Sequence, residues 1–431
     1  MKNNGKGLLA LSPAFVLMAV FLSSVLLSGD FYAVPISVAF VVAAVYGLLI
    51  MKGKSIQERV EVFSTGASDH GIMYMIWIFV MAGIFASAAK CMGAVDATVQ
   101  LTLMAVPSRF LPAGIFLAAC FISMAIGTSV GTVVALAPVV TGLAQQTGSS
   151  VPWMVAIVVG GAFFGDNLSF ISDTTIAATQ SQGCAMSDKF KTNILIVLPA
   201  ALISLVIYTI GGGSVAQVDV PDSVSWWLAI PYVLVIVMAV SGINVLIVML
   251  SGIAVTFLMG LCCGTALLDM LKASADGIQG MCELILITML AGGLMNIIRN
   301  AGGFEWLIQA LTRRISGRRG AEAVIAVLTA LTNLCTANNT VAIITVGGIA
   351  RDISEKFGIA PRKTASIMDT SSCFVQGLIP YGIQLMMAGG LAQVSPVSIV
   401  GYLYYPMLIG AMVVLSIILQ YPEYNSSHSS S

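Results

Sequence analysis

Residues 161–175 read GAFFGDNLSFISDTT, and they continue the apolar run VPWMVAIVVG of residues 151–160 without a break. Two aspartates, Asp166 and Asp173, therefore lie in a segment that otherwise resembles the interior of a lipid bilayer. A charged side chain within a membrane span costs roughly 2.5–3.5 kcal/mol on insertion scales, so such residues usually face a polar cavity and have a function. We expect the fold to be organised around this segment.

The composition of the whole chain places this segment in a membrane. Of 431 residues, 58% are hydrophobic and only 9% are charged, against roughly 25% charged in an average soluble domain. Apolar runs of about 18–25 residues recur, long enough to cross a hydrocarbon core as helices. We predict an all-α polytopic membrane protein with about ten transmembrane helices. The formal net charge is zero, and no block of like charge indicates a nucleic-acid partner.

The eight cysteines form no Cys-x-x-Cys pair and are scattered through apolar segments with only two histidines in the chain. They are typical of small buried hydrophobic residues, and we expect no zinc site and no cofactor.

The distribution of basic residues predicts the orientation. We place full spans at 9–28, 33–51, 71–89, 152–180, 192–211, 226–241, 243–263, 281–298, 362–390 and 396–420. Lys2 and Lys6 precede the first span, the loop at 51–59 has three basic residues, and AMSDKFK (185–191) reads as another basic loop. The positive-inside rule then puts both termini in the cytoplasm of an inner-membrane protein. It also places the main basic cluster there: Arg299, Arg313, Arg314, Arg318, Arg319, Arg351, Lys356, Arg362 and Lys363.

Two apolar stretches, 112–146 and 321–352, are broken in the middle by small and polar residues. Each is typical of a re-entrant hairpin, with predicted tips at Gly127–Thr132 and Thr336–Thr340. Non-helical backbone at membrane depth is tolerated only where protein or a water-filled cavity covers it. We therefore expect each tip to be covered by protein or to face a water-filled cavity.

An internal repeat relates the two hairpins. Residues 66–100 resemble 272–309, TSVGTV (128–133) resembles TANNTV (336–341), and DNLSFISDT (166–174) resembles DTSSCFVQG (369–377), which sets Asp173 opposite Gln376. Five predicted spans separate the two copies, so they have opposite orientations, an arrangement found in many secondary transporters.

This pattern predicts five regions along the chain. Residues 1–65 are expected to be N-terminal scaffold helices, 66–211 the first repeat with its hairpin and the broken helix 152–180, and 212–271 connecting helices. Residues 272–420 form the second repeat with its hairpin and the broken helix 362–390, and 421–431 form a polar tail.

Side-chain oxygens around the two breaks predict a binding site for a small hard cation such as sodium. We expect sodium to bind at Asp166 and Asp173, with further ion or substrate contacts from Asn167, Ser169, Ser172, Thr174, Asp369, Ser372, Asn338, Asn339, Thr340, Thr128 and Ser129. The alternative is structural: Ser172 or Asp173 is also suited to cap the helix that follows, and the polar residues of the tips are also typical of turns.

The residues GAFFGDNLSFISDTT resemble the NhaC family of sodium/proton antiporters, within the wider ion transporter superfamily. Members share the signature FGD-x-x-S-x-x-SDTT, matched here by Gly165, Asp166, Ser169, Ser172, Asp173, Thr174 and Thr175. The family often has Lys after the Gly-Asp pair and Pro after the first Ser, where this chain has Asn167 and Phe170. The resemblance implies exchange of sodium for protons and a homodimer, and some members couple ion movement to carboxylates such as malate and lactate, or to amino acids.

We therefore predict a secondary transporter that exchanges sodium for protons by alternating access. The alternative is a sodium- or proton-coupled transporter of a small organic acid or amino acid. An intramembrane aspartyl protease is disfavoured, because the chain has no Tyr-Asp pair and Phe163 occupies the first glycine position of a Gly-x-Gly-Asp motif. We expect no enzymatic activity.

Overall fold

The computed structural model describes residues 4–28, 35–51, 53–169, 172–216, 225–241, 243–312 and 315–422. Lys2, Phe170, Arg313, Arg314 and the end of the tail (423–431), on which some expectations rest, lie outside these ranges. Within the residues described, the first half contains ten α-helices: α1 (Asn4–Ser28), α2 (Ile36–Ile50), α3 (Ile56–Ala67), α4 (His70–Cys91), α5 (Ala94–Ala105), α6 (Leu111–Ile126), α7 (Ser129–Gln146), α8 (Val151–Leu168), α9 (Asp173–Gln182) and α10 (Met186–Gly211).

The second half repeats this order of helices. Its members are α11 (Ile230–Val240), α12 (Val245–Cys262), α13 (Leu267–Gly280), α14 (Cys282–Asn300), α15 (Gly303–Thr312), α16 (Gly317–Thr336), α17 (Asn339–Phe357), α18 (Pro361–Leu378), α19 (Ile383–Ala392), α20 (Pro396–Val400) and α21 (Tyr404–Leu419). Among the described residues there is no β-strand.

The helices confirm an all-α polytopic membrane protein. Within the described residues, seven helical stretches are long and apolar enough to cross a membrane, and five shorter apolar helices accompany them. Four of the ten predicted spans, at 9–28, 33–51, 226–241 and 396–420, fall on these shorter helices. The last of them is divided into α20 and α21 around residues 401–403.

Both hairpins and both broken helices are present. The first hairpin turns at Gly127, which has a left-handed φ of 76°, and at the N-cap residue Thr128. The second turns at Ala337, with φ of 50°, and at Asn338. The predicted tips were too long, since Thr132 already lies in α7 and Thr340 in α17. The helical backbone resumes directly after each N-cap.

The breaks between α8 and α9 and between α18 and α19 lie inside the two segments predicted as broken helices, 152–180 and 362–390. Helix α8 is almost fully enclosed and packs against α6, α7 and α18. Its break therefore lies inside protein, as backbone without helical hydrogen bonds requires at membrane depth.

Four helices, α3, α5, α13 and α15, were not predicted. They have only 10–14 residues, too few for a span, and local sequence sets their ends. Helix α3, for example, begins with a capping box. The Glu58 backbone N–H donates to Ser55 Oγ at 3.2 Å, and the Ser55 N–H donates to Glu58 Oε2 at 2.6 Å. The bond from the Ser55 N–H to the Glu58 carboxylate also lowers the pKa of Glu58.

The structure corrects the register of the internal repeat. Helix ends in the first half match those in the second half at a constant separation of 210 residues: Gly127 matches Ala337, Leu168 matches Leu378, and Asp173 matches Ile383. The motif matches in the sequence are therefore out of register by two residues at the tips and by seven at the broken helices. Asp166 therefore corresponds to Gln376 rather than to Asp369.

Corresponding helices of the two halves pack against the other half in the same way. Helix α3 packs on α14, and its counterpart α13 packs on α4. Each crossing joins two glycines: a Cβ on Gly66 would lie 2.4 Å from the Gly292 carbonyl oxygen, and one on Gly83 would lie 2.4 Å from that of Gly277. Small residues let membrane helices approach this closely. Each half is thereby tied to the other at two equivalent places.

Candidate functional site

A cavity of about 300 Å³ lies where the two hairpin tips approach the breaks in the helices. Its walls come from both halves of the chain, including α4, the start of α12 and the start of α19. Eight of the predicted site residues line it: Thr128, Ser129, Asp166, Asp173, Thr174, Asn338, Asn339 and Thr340.

Asp166 lies in the last turn of α8 and points at the first hairpin tip. Its Oδ1 accepts a hydrogen bond from the Ser129 backbone N–H at 3.0 Å, and its Oδ2 accepts from Ser129 Oγ at 2.5 Å. Ser129 is the first residue of α7, so the carboxylate also faces the positive end of that helix. Asp166 is only 4% exposed. These contacts stabilise a carboxylate at the edge of the cavity.

A chain of hydrogen bonds continues from this carboxylate to the second tip. Gln384 Nε2 donates to Ser129 Oγ at 2.9 Å, and Gln376 Nε2 donates to Gln384 Oε1 and to the Ala337 carbonyl, each at 2.9 Å. Gln376 is the counterpart of Asp166, and each side chain bonds the tip of its own hairpin. The two halves therefore make equivalent bonds to their hairpin tips, but the first half does so with a carboxylate, Asp166, and the second half with a neutral amide, Gln376.

The break after α8 leaves backbone carbonyls without helical partners, close to the hydroxyls that the sequence predicted as ion ligands. In the structure these groups bond each other. The Asp166 carbonyl accepts from Ser172 Oγ at 2.9 Å and from Thr174 Oγ1 at 3.2 Å. Ser172 is also the N-cap of α9, accepting from the Thr175 N–H at 3.2 Å, as the structural alternative expected. Ser172 thus closes the break rather than lining the cavity.

Asp173 is the first residue of α9, and its side chain is exposed to the cavity that Asp166 also lines. The two aspartates of the signature are thus brought to one cavity, although they occupy different helices.

At the second tip, the side chains of Asn338 and Asn339 accept hydrogen bonds from backbone N–H groups. Asn338 Oδ1 accepts from the Val341 N–H at 3.1 Å, and Asn339 Oδ1 accepts from the Thr340 N–H at 3.1 Å. All three tip residues, Asn338, Asn339 and Thr340, nevertheless line the cavity. They shape its wall as well as forming the turn.

The remaining predicted residues do not line this cavity. Asn167 is fully buried and donates to the Phe163 carbonyl at 2.9 Å. Ser169 Oγ donates to the Met124 carbonyl at 2.8 Å, and Ser372 Oγ to the Asp369 carbonyl at 2.8 Å. The bonds of Asn167 and Ser372 lie within their own helices, α8 and α18, whereas the bond of Ser169 links the end of α8 to α6.

Asp369 is neutralised inside the protein by a residue that the sequence analysis misplaced. Lys189 Nζ lies 2.6 Å from Asp369 Oδ2, and the two side chains are 1% and 0% exposed. The prediction that Lys189 belongs to a basic cytoplasmic loop was wrong, because α10 begins six residues before the predicted span at 192 and carries Lys189 into the core. Asn193, one turn later, donates to the same Asp369 oxygen at 3.0 Å.

One signal in the sequence was available for this pair. Lys189 and Asn193 are four residues apart, so they share one face of α10, although other polar residues surround them at the start of this helix. Lys363, also assigned to the basic cytoplasmic face, is likewise fully buried, and it donates to Ser416 Oγ and to the Tyr421 carbonyl, the latter at 2.6 Å.

The cavity is suited to a small monovalent cation. Carboxylate, hydroxyl and carbonyl oxygens are the ligands that hard cations prefer. Within the described ranges, no group of three or more His, Cys, Asp or Glu side chains forms a transition-metal site. Hairpin tips and broken helices meeting at a polar cavity between two repeats are the arrangement of secondary transporters.

Comparison with known proteins identifies the family. The sequence profile of the Na+/H+ antiporter family matches residues 7–212 and 220–421. The chain belongs to this family. The two matched ranges coincide with the two halves of the fold.

Several relatives match over most of their length. The chain is 21% identical to the Na(+)/H(+) antiporter NhaC of Alkalihalophilus pseudofirmus, over 93% of both chains. It is 23% identical to NhaC of Bacillus subtilis, over 84% of this chain and 86% of that one. It is also 22% identical to the malate-2H(+)/Na(+)-lactate antiporter of Bacillus subtilis, over 94% and 93%.

Among solved structures, the YdaH transporter of Alcanivorax borkumensis matches 84% of this chain and 88% of its own, with a TM-score of 0.40 and 14% identity.

Proposed function

We propose that this protein exchanges sodium for protons across the cytoplasmic membrane by alternating access, with sodium and protons competing for Asp166 and Asp173. The observation that carries the proposal is the shared cavity, which both aspartates and both hairpin tips line. Membership of the Na+/H+ antiporter family supports it. Sodium is the coupled substrate, and the proposal needs no cofactor.

The contacts of Asp166 suggest how binding and movement are coupled. Its carboxylate bonds the first tip, and the chain through Gln384 and Gln376 reaches the second tip. A sodium ion or a proton on the carboxylate competes with the bonds from Ser129. Occupancy of Asp166 can therefore change how the two hairpins are held together, which is what alternating access requires.

Reconstitution in liposomes tests this proposal. With a pH dye inside the vesicles, an inward sodium gradient should drive proton efflux through the wild type and make the interior alkaline. Asp166→Asn and Asp173→Asn should each abolish this signal, because an amide cannot exchange a proton for sodium. Asp352→Asn, an exposed carboxylate on α17 outside the cavity, is the matched control and should retain it.

Full exchange by folded Asp166→Asn protein would show that this carboxylate is not the coupling site.

A second candidate is coupled transport of a small carboxylate or amino acid. The cavity of about 300 Å³ is larger than a single sodium ion needs and reaches the lower limit of small-molecule sites. An adjoining cavity of about 510 Å³ shares Met75, Asn338 and Ile383 with it and is lined by one acidic and one basic residue, Asp69 and Arg299. A relative is named as a malate/lactate antiporter.

The liposome assay separates the two candidates. If wild-type protein moves protons only when malate, lactate or an amino acid is also present, the organic substrate is part of the cycle. Sodium-driven proton movement in buffer without such substrates supports simple exchange.

We also propose that both termini lie in the cytoplasm and that the protein is a homodimer. The orientation is supported by the bias of basic residues in the loops. The dimer is supported by the resemblance to the ion transporter superfamily.

A further inference from the structure

The ammonium group of Lys189 is bound like a cation in a coordination site. Its Nζ lies 2.6 Å from Asp369 Oδ2, 2.7 Å from Thr175 Oγ1 and 2.8 Å from the Asn167 carbonyl oxygen. One carboxylate, one hydroxyl and one carbonyl freed by a helix break are the kinds of ligand expected of a sodium site.

This group lies directly behind the proposed transport site. Asn167 follows Asp166 in the chain, and Thr175 follows Asp173 by two residues. The side chains of Asn167, Thr175, Lys189 and Asp369 are all buried, and none of them lines the cavity. The broken segment therefore faces the cavity on one side and the Lys189 ammonium on the other.

Asn193 ties this centre together. Its Nδ2 donates to the Asn167 carbonyl at 2.8 Å and to Asp369 Oδ2 at 3.0 Å, while its Oδ1 accepts a hydrogen bond from Ser366 Oγ. The carboxylate and the carbonyl are therefore held toward Lys189 by neighbours that do not depend on the ammonium. We expect the oxygen ligands to stay in place when the ammonium is removed.

We propose that Lys189 is a built-in cation that fills a second cation site, formed by Asp369, Thr175 and the Asn167 carbonyl, and so limits sodium binding to the cavity at Asp166 and Asp173. In this role Lys189 is a positioning residue that determines how many sodium ions one chain binds. This inference rests on the proposed function in one respect, since it takes the cavity to be the transport site.

Lys189→Met tests the inference. Methionine is unbranched and one atom shorter than lysine, so it fills the channel of the side chain and vacates the position of the ammonium. Asp369 is then left as a buried carboxylate without its counter-ion, which is strongly unfavourable. A sodium ion restores the charge balance, so the variant should bind one more sodium ion per chain than the wild type.

Two further variants are matched to this one. Lys189→Met/Asp369→Asn removes both charges and should return to the wild-type number of bound sodium ions. Lys191→Gln removes an exposed lysine two residues along the same helix and should also bind the wild-type number. The measurement is equilibrium binding of radioactive sodium to purified protein in detergent, with the fraction of folded protein determined by size-exclusion chromatography.

Equal sodium numbers for the wild type and Lys189→Met would overturn the proposal. If Lys189→Met does not fold, Asp369→Asn provides the test, because it leaves an uncompensated positive charge behind the cavity. Its half-saturating sodium concentration should rise by about tenfold or more and return toward the wild-type value in the double variant. An unchanged half-saturation in Asp369→Asn would contradict the proposal.

Failure of the proposed function gives a different result. Wild-type protein that binds sodium but moves no protons in liposomes would refute the exchange proposal, while the comparison of bound sodium would still decide the role of Lys189.

Discussion

At the scale of single residues, Ser129 connects the charged site to the hairpin. Its hydroxyl donates to Asp166 and accepts from Gln384. A hydrogen bond to a charged group contributes about 1.5–3 kcal/mol, and sodium must displace this one from Asp166. Ser129→Ala should therefore lower the half-saturating sodium concentration by about tenfold or more. It should also slow exchange, because the carboxylate loses its side-chain bond to the hairpin tip. Sodium-dependent proton flux in liposomes measures both quantities.

Thr141→Ala is the matched control for this prediction. Thr141 lies on the same helix, α7, is also buried, and bonds only the Ala137 carbonyl of its own helix at 2.7 Å. Equal sodium dependence in the two variants would mean that Ser129 does not organise the site.

The residues of the site were only partly accessible to sequence reasoning. Asp166 and Asp173 could be found because a carboxylate in an apolar run is costly and therefore conspicuous. Lys189 could not be distinguished in this way, because it lies among polar residues at the start of α10, where a lysine is also typical of a loop at the membrane surface. Only the packing of α10 against α18 places it beside Asp369.

At the scale of helices, the interruptions were predictable and the short helices were not. Small and polar residues inside an apolar run mark a break, and the hairpins and broken helices were found in this way. Helices α3 and α13 are amphipathic and short, so their sequences resemble loops. Tertiary contacts with α14 and α4 decide their structure.

The two hairpin tips make a prediction about backbone strain. Ala337 has a left-handed φ of 50°, where its counterpart is Gly127 with φ of 76°. This conformation costs an L-residue roughly 1–2 kcal/mol, whereas glycine adopts it freely. Ala337→Gly should therefore raise the thermal unfolding temperature in detergent, and Gly127→Ala should lower it.

Ala337→Gly removes one methyl group and Gly127→Ala adds one, so each variant is a control for the effect of changing side-chain size in the other. A lower unfolding temperature for Ala337→Gly would show that its side chain contributes more by packing than its backbone loses by strain.

At the scale of the whole molecule, the repeat was recognised but its register was not. Short matches such as TSVGTV and TANNTV share letters at an offset of 208, whereas the helix ends match at 210. Polar residues at the two breaks have different structural roles, so matching identical residues between the two repeats gives the wrong alignment. The corrected register shows why Asp166 has a neutral partner, Gln376, in the second half. One half carries the charge and the other completes the hydrogen-bond chain.

The last prediction concerns the two places where helices of one half cross helices of the other at a pair of glycines. Gly66 meets Gly292, and Gly83 meets Gly277, at separations that leave no room for a Cβ. Gly66→Ala and Gly83→Ala should each destabilise the protein, by roughly 1–3 kcal/mol as for other overpacked contacts. Because the two crossings are equivalent and share no residues, their effects should be similar in size and additive in the double variant.

Thermal unfolding in detergent measures these losses, with Gly348→Ala as the control. Gly348 lies in α17, and no atom is within 4 Å of the position that a Cβ would occupy. Its replacement should not lower the unfolding temperature. A large loss at one crossing and none at the other would show that the two halves are not held together symmetrically. Equal losses would show that the two crossings contribute equally to stability, so a movement of one half relative to the other is resisted at both crossings.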